Sequence, residues 1–170
     1  MNTTIETLWK TYSIINEWIR FSDTKAGAIL AANGVIASIV LSKLANGKNL
    51  LDVHPIFPIL LIIGIITTFI SIILCIICLS PTLKVGDKTN SVIFFANIAE
   101  RFETHCDYEK IAQDVLADEK QAATQIAQQV WANSKVAWKK YKAVAWATYF
   151  LELTILIGIL SILGVLSILI

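Results

Sequence analysis

The chain has 170 residues, of which 56% are hydrophobic, and its mean hydropathy is +0.67. This excess of apolar residues excludes an ordinary soluble domain, and the formal net charge of +1 excludes a strong overall attraction to nucleic acid. The apolar residues are concentrated in three runs, at 26–44, 56–79 and 143–170. Each run is long enough to cross a hydrocarbon core of about 30 Å. The sequence therefore predicts an all-α membrane protein with three transmembrane helices.

Residues 1–25 are predicted to form an amphipathic helix that leads directly into the first transmembrane helix, at 26–44. Thr3 and Glu6 have the spacing of a capping box, and apolar side chains then recur every three or four residues.

Three polar residues, Asp23, Lys25 and Asn33, lie at or inside the predicted membrane boundary, where unpaired polar groups are costly. In one interpretation Asp23 caps the helix and Lys25 extends to the lipid headgroups. In the other, these residues couple the membrane segment to the cytoplasmic helices. Asp23 then pairs with a lysine of the cluster at 135–142, and Asn33 forms a hydrogen bond to another helix.

The distribution of basic residues predicts the orientation. The loop at 45–55 carries one lysine, Lys48, and Lys43 lies just before it. Residues 80–142, in contrast, carry nine basic residues. Because cytoplasmic segments are enriched in Lys and Arg, the N-terminus and residues 80–142 are expected in the cytoplasm. The loop at 45–55 and the C-terminus are expected outside.

The cytoplasmic segment at 80–142 is predicted to be helical, because no Gly or Pro occurs from Asp87 to Ile157. One helix is expected at about 91–105. A second is expected to begin near Asp107 and to continue into the third span, which makes a helical hairpin continuous with that span. A break around 117–121 stays open as an alternative, although neither Gly nor Pro signals it.

The third apolar run, at 143–170, carries one charged residue, Glu152. Placing Glu152 at the interface leaves residues 153–170, about 27 Å of apolar helix, inside the membrane.

No arrangement typical of an enzyme occurs in the sequence: there is no phosphate-binding glycine loop, no nucleophile elbow and no H-E-x-x-H. His105 and Glu109 have the spacing of metal ligands on a helix, but they are also ordinary residues for a solvated helix end. The sequence therefore predicts neither catalytic residues nor a metal site nor a cofactor, and the protein is not expected to be an enzyme.

Three stretches together resemble the membrane effector family of Pycsar antiphage systems, the PycTM-like proteins. They are SDTKAGAILAANGVI, VIFFANIAERF and QIAQQVWANSKVAWKKYKAVAWA. The residues that match the three motifs are, in order, Asp23, Lys25 and Asn33; Phe94, Phe95, Asn97 and Arg101; and Ser134, Lys140 and Tyr141.

The resemblance implies an antiphage effector of the bacterial inner membrane. It would be activated by a cyclic pyrimidine nucleotide, cCMP or cUMP, made by a functionally linked pyrimidine cyclase. It would then impair the lipid bilayer and cause abortive infection. Because three helices cannot enclose a pore alone, a homo-oligomer is expected. Two other functions stay open: a ligand-independent, holin-like pore, and a membrane scaffold that binds a cytoplasmic partner.

A cyclic nucleotide carries one negative charge and a flat base, which cationic, amide and aromatic side chains suit. By this chemistry Arg101, Lys135, Lys139 and Tyr141 are candidate ligand-binding residues, and the resemblance adds Asn97 and Lys140. Each can equally be a solvated surface residue.

Overall fold

A computed structural model describes residues 3–46, 56–81 and 91–169. Within these ranges the chain forms five helices and no strand. The helices are α1 (Thr3–Asn46), α2 (Ile56–Leu79), α3 (Phe95–Arg101), α4 (His105–Ala117) and α5 (Glu119–Leu169). Three of them, α1, α2 and α5, are long and apolar enough to cross a membrane. The predicted all-helical protein with three candidate spans is therefore confirmed, whereas the predicted loop at 45–55 lies almost entirely outside the described residues.

Helix α1 joins the predicted amphipathic helix and the first span without a break. Its 44 residues extend about 66 Å. The sequence favours this continuity, because α1 contains no Pro and its first Gly is Gly27. The apolar side chains of its first five turns are half-buried at Ile5, Leu8, Tyr12, Ile15 and Ile19.

The long helix expected from Asp107 onward is interrupted at Asp118, which separates α4 from α5 within the range 117–121 where a break stayed open. The Asp118 carboxylate accepts hydrogen bonds from the backbone N–H groups of Lys120, at 2.9 Å, and Gln121, at 3.3 Å. The side-chain amide of Gln121 donates a further one at 3.0 Å. The Gln121 side chain first, and then these backbone donors, lower the pKa of Asp118 below its ordinary value. The helix start is thus encoded by Asp118 and Gln121, at capping-box spacing, without Gly or Pro.

Helix α3 is shorter than the helix predicted at 91–105. The Ser91 hydroxyl accepts hydrogen bonds from the N–H groups of Ile93 and Phe94, which holds these residues in a turn before α3. At the other end, Thr104 caps α4: its side-chain oxygen accepts from the N–H of Asp107 and donates to the Asp107 carboxylate.

The chain divides into two compact units. The polar unit consists of residues 1–21 and 81–139, and the membrane unit of residues 22–80 and 140–170. Helices α1 and α5 each contribute residues to both units.

Small side chains dominate the core of the membrane unit, which lets the three helix backbones approach closely. The buried members of this core are Ala26, Ile29, Cys75, Cys78, Ala143, Val144 and Ala147.

Helices α2 and α5 pack antiparallel in a constant register. The hydroxyls of Thr67 and Thr154 are 2.7 Å apart, and a Cβ at Gly164 would lie 3.4 Å from the ring of Phe57. Ten residues separate Thr67 from Phe57 on α2, and ten separate Thr154 from Gly164 on α5. A residue that precedes Thr67 by a given number of positions is therefore level with the residue that follows Thr154 by the same number. The same holds in the opposite direction along both helices.

This register brings Glu152 level with the middle of α2, whereas the sequence alone led us to expect it at the membrane interface. Thr67 is the twelfth of the 24 residues of α2, a helix without any charged residue, so Thr67 lies close to the middle of this candidate span. Thr154 is the contact partner of Thr67, and Glu152 precedes Thr154 by two residues, which is about 3 Å along α5. Glu152 therefore lies level with the middle of the candidate span α2, and apolar residues of α5 extend to both sides of it.

Candidate functional site

The amine of Lys140 binds two oxygens from the other two helices of the membrane unit. Its Nζ lies 2.5 Å from Oδ1 of Asp23 on α1 and 2.7 Å from the carbonyl oxygen of Cys78 on α2. Only 9% of the Lys140 side chain is exposed, against 37% for Asp23. Because these helices are so apolar, the ion pair replaces hydration that the lysine loses on burial.

The Cys78 carbonyl is a suitable partner for Lys140 because of its position in α2. It is one of the last four carbonyls of the helix, which have no partner within the helix and carry the negative end of its dipole. A lysine from α5 therefore compensates both the Asp23 carboxylate and the C-terminus of α2. The predicted pairing of Asp23 with a lysine of the cluster at 135–142 is present, and Lys140 is that lysine.

Asn33 forms a second polar contact between helices, deeper in the membrane unit. Its Nδ2 donates to the hydroxyl of Ser71 on α2, at 2.8 Å, and Ser71 donates to the carbonyl oxygen of Ala147 on α5, at 2.9 Å. Asn33 and Ser71 are both fully buried. The predicted hydrogen bond from Asn33 to another helix is therefore confirmed.

One atom of this contact lacks a partner among the described residues, namely Oδ1 of Asn33. A buried acceptor without a donor costs free energy, so Oδ1 of Asn33 reduces the stability that the Asn33–Ser71 hydrogen bond contributes.

Lys25, which the sequence groups with Asp23 and Asn33, is exposed on α1. The structure thus places Asp23 and Asn33 in contacts between helices and leaves Lys25 on the surface, as expected for a lysine that extends to lipid headgroups. The predicted role of Asp23, Lys25 and Asn33 in coupling stays a prediction.

Four of the six candidate ligand-binding residues belong to the polar unit. Asn97 and Arg101 are four residues apart on α3 and so share a helix face, as do Lys135 and Lys139 on α5. Arg101, Lys135 and Lys139 are exposed, and Asn97 is half-buried.

Two of these cations lie over aromatic rings. The guanidinium carbon of Arg101 is 5.2 Å from the ring centre of Phe102, and Nζ of Lys135 is 5.5 Å from that of Trp131. Trp131 is 58% exposed whereas Phe102 is half-buried, so Lys135 and Trp131 together offer both a charge and an accessible stacking surface.

The other two candidates, Lys140 and Tyr141, belong to the membrane unit. Lys140 binds Asp23 and the Cys78 carbonyl, whereas the neighbouring Tyr141 is 46% exposed. Consecutive residues of a helix point about 100° apart, which explains why adjacent members of one sequence motif differ in environment.

Sequence reasoning missed Ser71 as the link between Asn33 and the Ala147 carbonyl. The available signal was a run of polar residues in an otherwise apolar helix: Thr67 and Ser71 are four residues apart and therefore share a face of α2. It also missed Asn16 and Asn133, whose side chains form a 2.8 Å hydrogen bond within the polar unit.

Over the described ranges, no three His, Cys, Asp or Glu side chains are grouped so that they could hold a metal ion. The candidate functional positions are therefore of two kinds. Some are polar side chains that pair inside the membrane unit, and the others are exposed cations beside aromatic rings in the polar unit.

Comparison with known proteins gives two matches that cover nearly the whole chain. The model of the PycTM family, the Pycsar effector protein domain, matches residues 7–170. The Pycsar effector protein PtPycTM of Propioniciclava tarda is 29% identical over 165 residues, which are 94% of this chain and 76% of that protein. No solved structure matches the chain.

Proposed function

This chain belongs to the PycTM family of Pycsar effector proteins and is therefore an antiphage defence effector with three candidate membrane spans. We propose that a cyclic pyrimidine nucleotide, cCMP or cUMP, activates it, and that the activated protein impairs the bacterial inner membrane and causes abortive infection. The observation that carries this proposal is the family match from residue 7 to residue 170, which covers all but the first four residues of the three candidate spans. In this proposal the protein acts without catalysis, as a homo-oligomer functionally linked to a pyrimidine cyclase.

The topology in this proposal follows from the distribution of lysine and arginine. The N-terminus and residues 80–142 face the cytoplasm, where the nucleotide is made, and the C-terminus faces outward.

The nucleotide binds the polar unit through the residues whose chemistry suits it. Arg101, Lys135 and Lys139 supply positive charge for the phosphate, and Asn97 offers an amide for a base edge. Trp131, which lies beside Lys135 and is 58% exposed, offers a face on which the flat base can stack.

Helix continuity supports transmission from the nucleotide to the membrane. Lys135 and Lys139 lie on the same uninterrupted helix as Lys140, whose ion pair holds α5 to α1 and α2. If the nucleotide binds more tightly when α5 has shifted, its binding favours the shifted helix. The contact of Lys140 with α1 and α2 is then rearranged in the membrane unit.

Dye leakage from liposomes tests the proposal directly. The purified chain is reconstituted and exposed to cCMP, cUMP, cAMP or no nucleotide. We expect leakage only with a cyclic pyrimidine nucleotide. Leakage without nucleotide would favour the ligand-independent pore, and no leakage under any of these conditions would contradict the proposed activation.

Arg101→Ala tests the site within the same assay. A hydrogen bond to a charged group contributes about 1.5–3 kcal/mol, so the nucleotide concentration for half-maximal leakage should rise roughly ten- to hundredfold. Lys110→Ala, which removes an exposed cation of α4 outside the candidate set, is the matched control and should respond like the wild type. A wild-type response of the Arg101 variant would remove Arg101 from the site.

A further inference from the structure

Glu152 has a position in the membrane unit that the contacts described above do not explain. It lies within about 3 Å of the depth of the Thr67–Thr154 contact and hence near the middle of the bilayer. It is exposed, and among the described residues it makes no hydrogen bond or ion pair. Glu152 and the buried Thr154 are two positions apart, about 200° around the helix, so Glu152 points away from α2.

A carboxylate that faces lipid tails at this depth is strongly unfavourable, and residues of this kind in membrane proteins typically face protein or water. The side chains of the described residues leave Glu152 exposed. A second copy is the natural occupant, because every copy in the membrane presents the same face at the same depth.

The surface around Glu152 leaves room for a neighbouring helix. Ala145, Trp146 and Tyr149 line a shallow, open depression one to two turns before Glu152. Tyr149 is 55% exposed on the same face, three residues from Glu152, and its hydroxyl can donate a hydrogen bond to a carboxylate of another copy.

We propose that copies of this chain assemble through the face of α5 formed by Ala145, Tyr149 and Glu152, with Glu152 turned toward a shared interior that contains water and attracts cations. Several carboxylates at one depth repel each other in a dry interface, so the interior must be hydrated or hold cations. Rings of acidic side chains favour cation passage in channels. This inference rests on the proposed impairment of the membrane and specifies it as a cation-selective pathway.

Cysteine cross-linking tests the face without any need for nucleotide or leakage. The background is Cys106→Ser, because Cys106 is the exposed cysteine whereas Cys75 and Cys78 are buried. Glu152→Cys is compared with Phe69→Cys, which lies at the same depth on α2 by the register above and is 63% exposed. Membranes that contain either variant are oxidised with copper phenanthroline, and covalent dimers are measured on denaturing gels.

We expect Glu152→Cys to give at least several-fold more dimer than Phe69→Cys and than the background. Equal dimer from the two variants, or less from Glu152→Cys, would overturn the assembly face. Membrane extraction shows that both variants are inserted, so that loss of dimer is not mistaken for failure to fold.

Ion selectivity tests the carboxylate itself. The reversal potential of nucleotide-activated currents is measured in planar bilayers under a KCl gradient. We expect the wild type to prefer K⁺ over Cl⁻, and Glu152→Gln to reduce the permeability ratio several-fold while currents persist. Glu103→Gln, which neutralises an exposed acid of the polar unit, is the control and should keep the wild-type ratio.

An unchanged permeability ratio in Glu152→Gln would overturn the cation-attracting role. If the wild type conducts with none of the nucleotides, the proposed function fails, whereas the cross-linking result still supports or overturns the assembly face on its own.

Discussion

The membrane unit and the polar unit contain the same kinds of polar side chain in opposite situations. In the membrane unit the amine of Lys140 is 9% exposed and binds two oxygens, and the amide of Asn33 is fully buried against Ser71. In the polar unit, Arg101 and Lys135 are exposed, and each lies over the ring of an aromatic side chain that is close to it in the sequence. The difference follows from the solvent: hydrocarbon offers no hydrogen bonds, whereas water does.

Two consequences follow from this difference. The buried polar groups of the membrane unit hold helices together, so their substitution should lower stability. The exposed cations of the polar unit contribute little to folding, so they can be positioned for a ligand. The four predictions below test this contrast, from the largest expected effect to the smallest.

The substitution Lys140→Met should have the largest effect. It leaves the Asp23 carboxylate and the Cys78 carbonyl without their shared cation, and breaking a buried ion pair typically costs 3–5 kcal/mol. Since 37% of the Asp23 side chain is exposed, water offsets part of this loss, and we expect about 2–4 kcal/mol. Thermal unfolding in detergent micelles, followed by circular dichroism, measures it.

Lys139→Met is the matched control for Lys140→Met, because Lys139 is its exposed neighbour and should change stability by less than about 0.5 kcal/mol. Adding Asp23→Asn to Lys140→Met should recover part of the loss, since no unpaired charge remains. Equal stability of the Lys139 and Lys140 variants would mean that the ion pair is not structural.

The substitutions Ser71→Ala and Asn33→Ala should lower the free energy of unfolding by unequal amounts. Ser71→Ala removes the acceptor of the Asn33 amide and leaves both polar atoms of that amide buried without a partner, which costs about 1–3 kcal/mol. Asn33→Ala removes the amide together with its unpaired oxygen, and Ser71 keeps its bond to the Ala147 carbonyl, so we expect about 1 kcal/mol or less. The same unfolding measurement ranks them, and a larger loss for Asn33→Ala would contradict this account.

Asn133→Ala tests the polar unit in the same way. Its Nδ2 donates to Oδ1 of Asn16 at 2.8 Å, but both residues are only half-buried, so water can replace the bond. We expect a loss of about 0.5–1 kcal/mol. Asn16→Ala should cost a similar amount, and the double variant should lose little more than either single variant. If Asn133→Ala lowered stability more than Ser71→Ala does, the polar contacts of the membrane unit would not be the more important ones for folding.

The smallest effect is expected at Asp118, where it is local. Asp118→Ala removes the acceptor for the N–H groups of Lys120 and Gln121, so hydrogen exchange of these two amides should accelerate while distant amides keep their rates. Asp114→Ala, in the interior of α4, is the control and should leave both amides protected.

The pH dependence of the same two amides gives a second test at Asp118. Hydrogen bonds lower its pKa in the folded chain, so its contribution to the start of α5 is complete above the ordinary carboxyl pKa. That contribution is lost as the pH falls through the lowered value. Protection at Lys120 and Gln121, corrected for intrinsic exchange, should therefore decrease in acid, and no decrease would contradict the capping role.

Much of the fold could be predicted from the sequence because local composition determines it. Runs of about twenty apolar residues predict the spans, since nothing shorter crosses the hydrocarbon core as a helix. The pairing of Asp23 with a nearby lysine was also predictable, because a carboxylate at the membrane boundary needs a cation. The break at Asp118 was encoded as well, but by hydrogen-bonding residues and not by the stronger signals of Gly and Pro.

Only the tertiary structure decided which residues of each motif face which partner. Lys139, Lys140 and Tyr141 are equivalent in a list of residues, yet helix rotation turns Lys140 alone toward Asp23 and Cys78. The depth of Glu152 depended on the register between α2 and α5, which composition does not contain. Depth and facing arise from contacts between residues far apart in the chain, such as Thr67 and Thr154, and these form only when the helices pack.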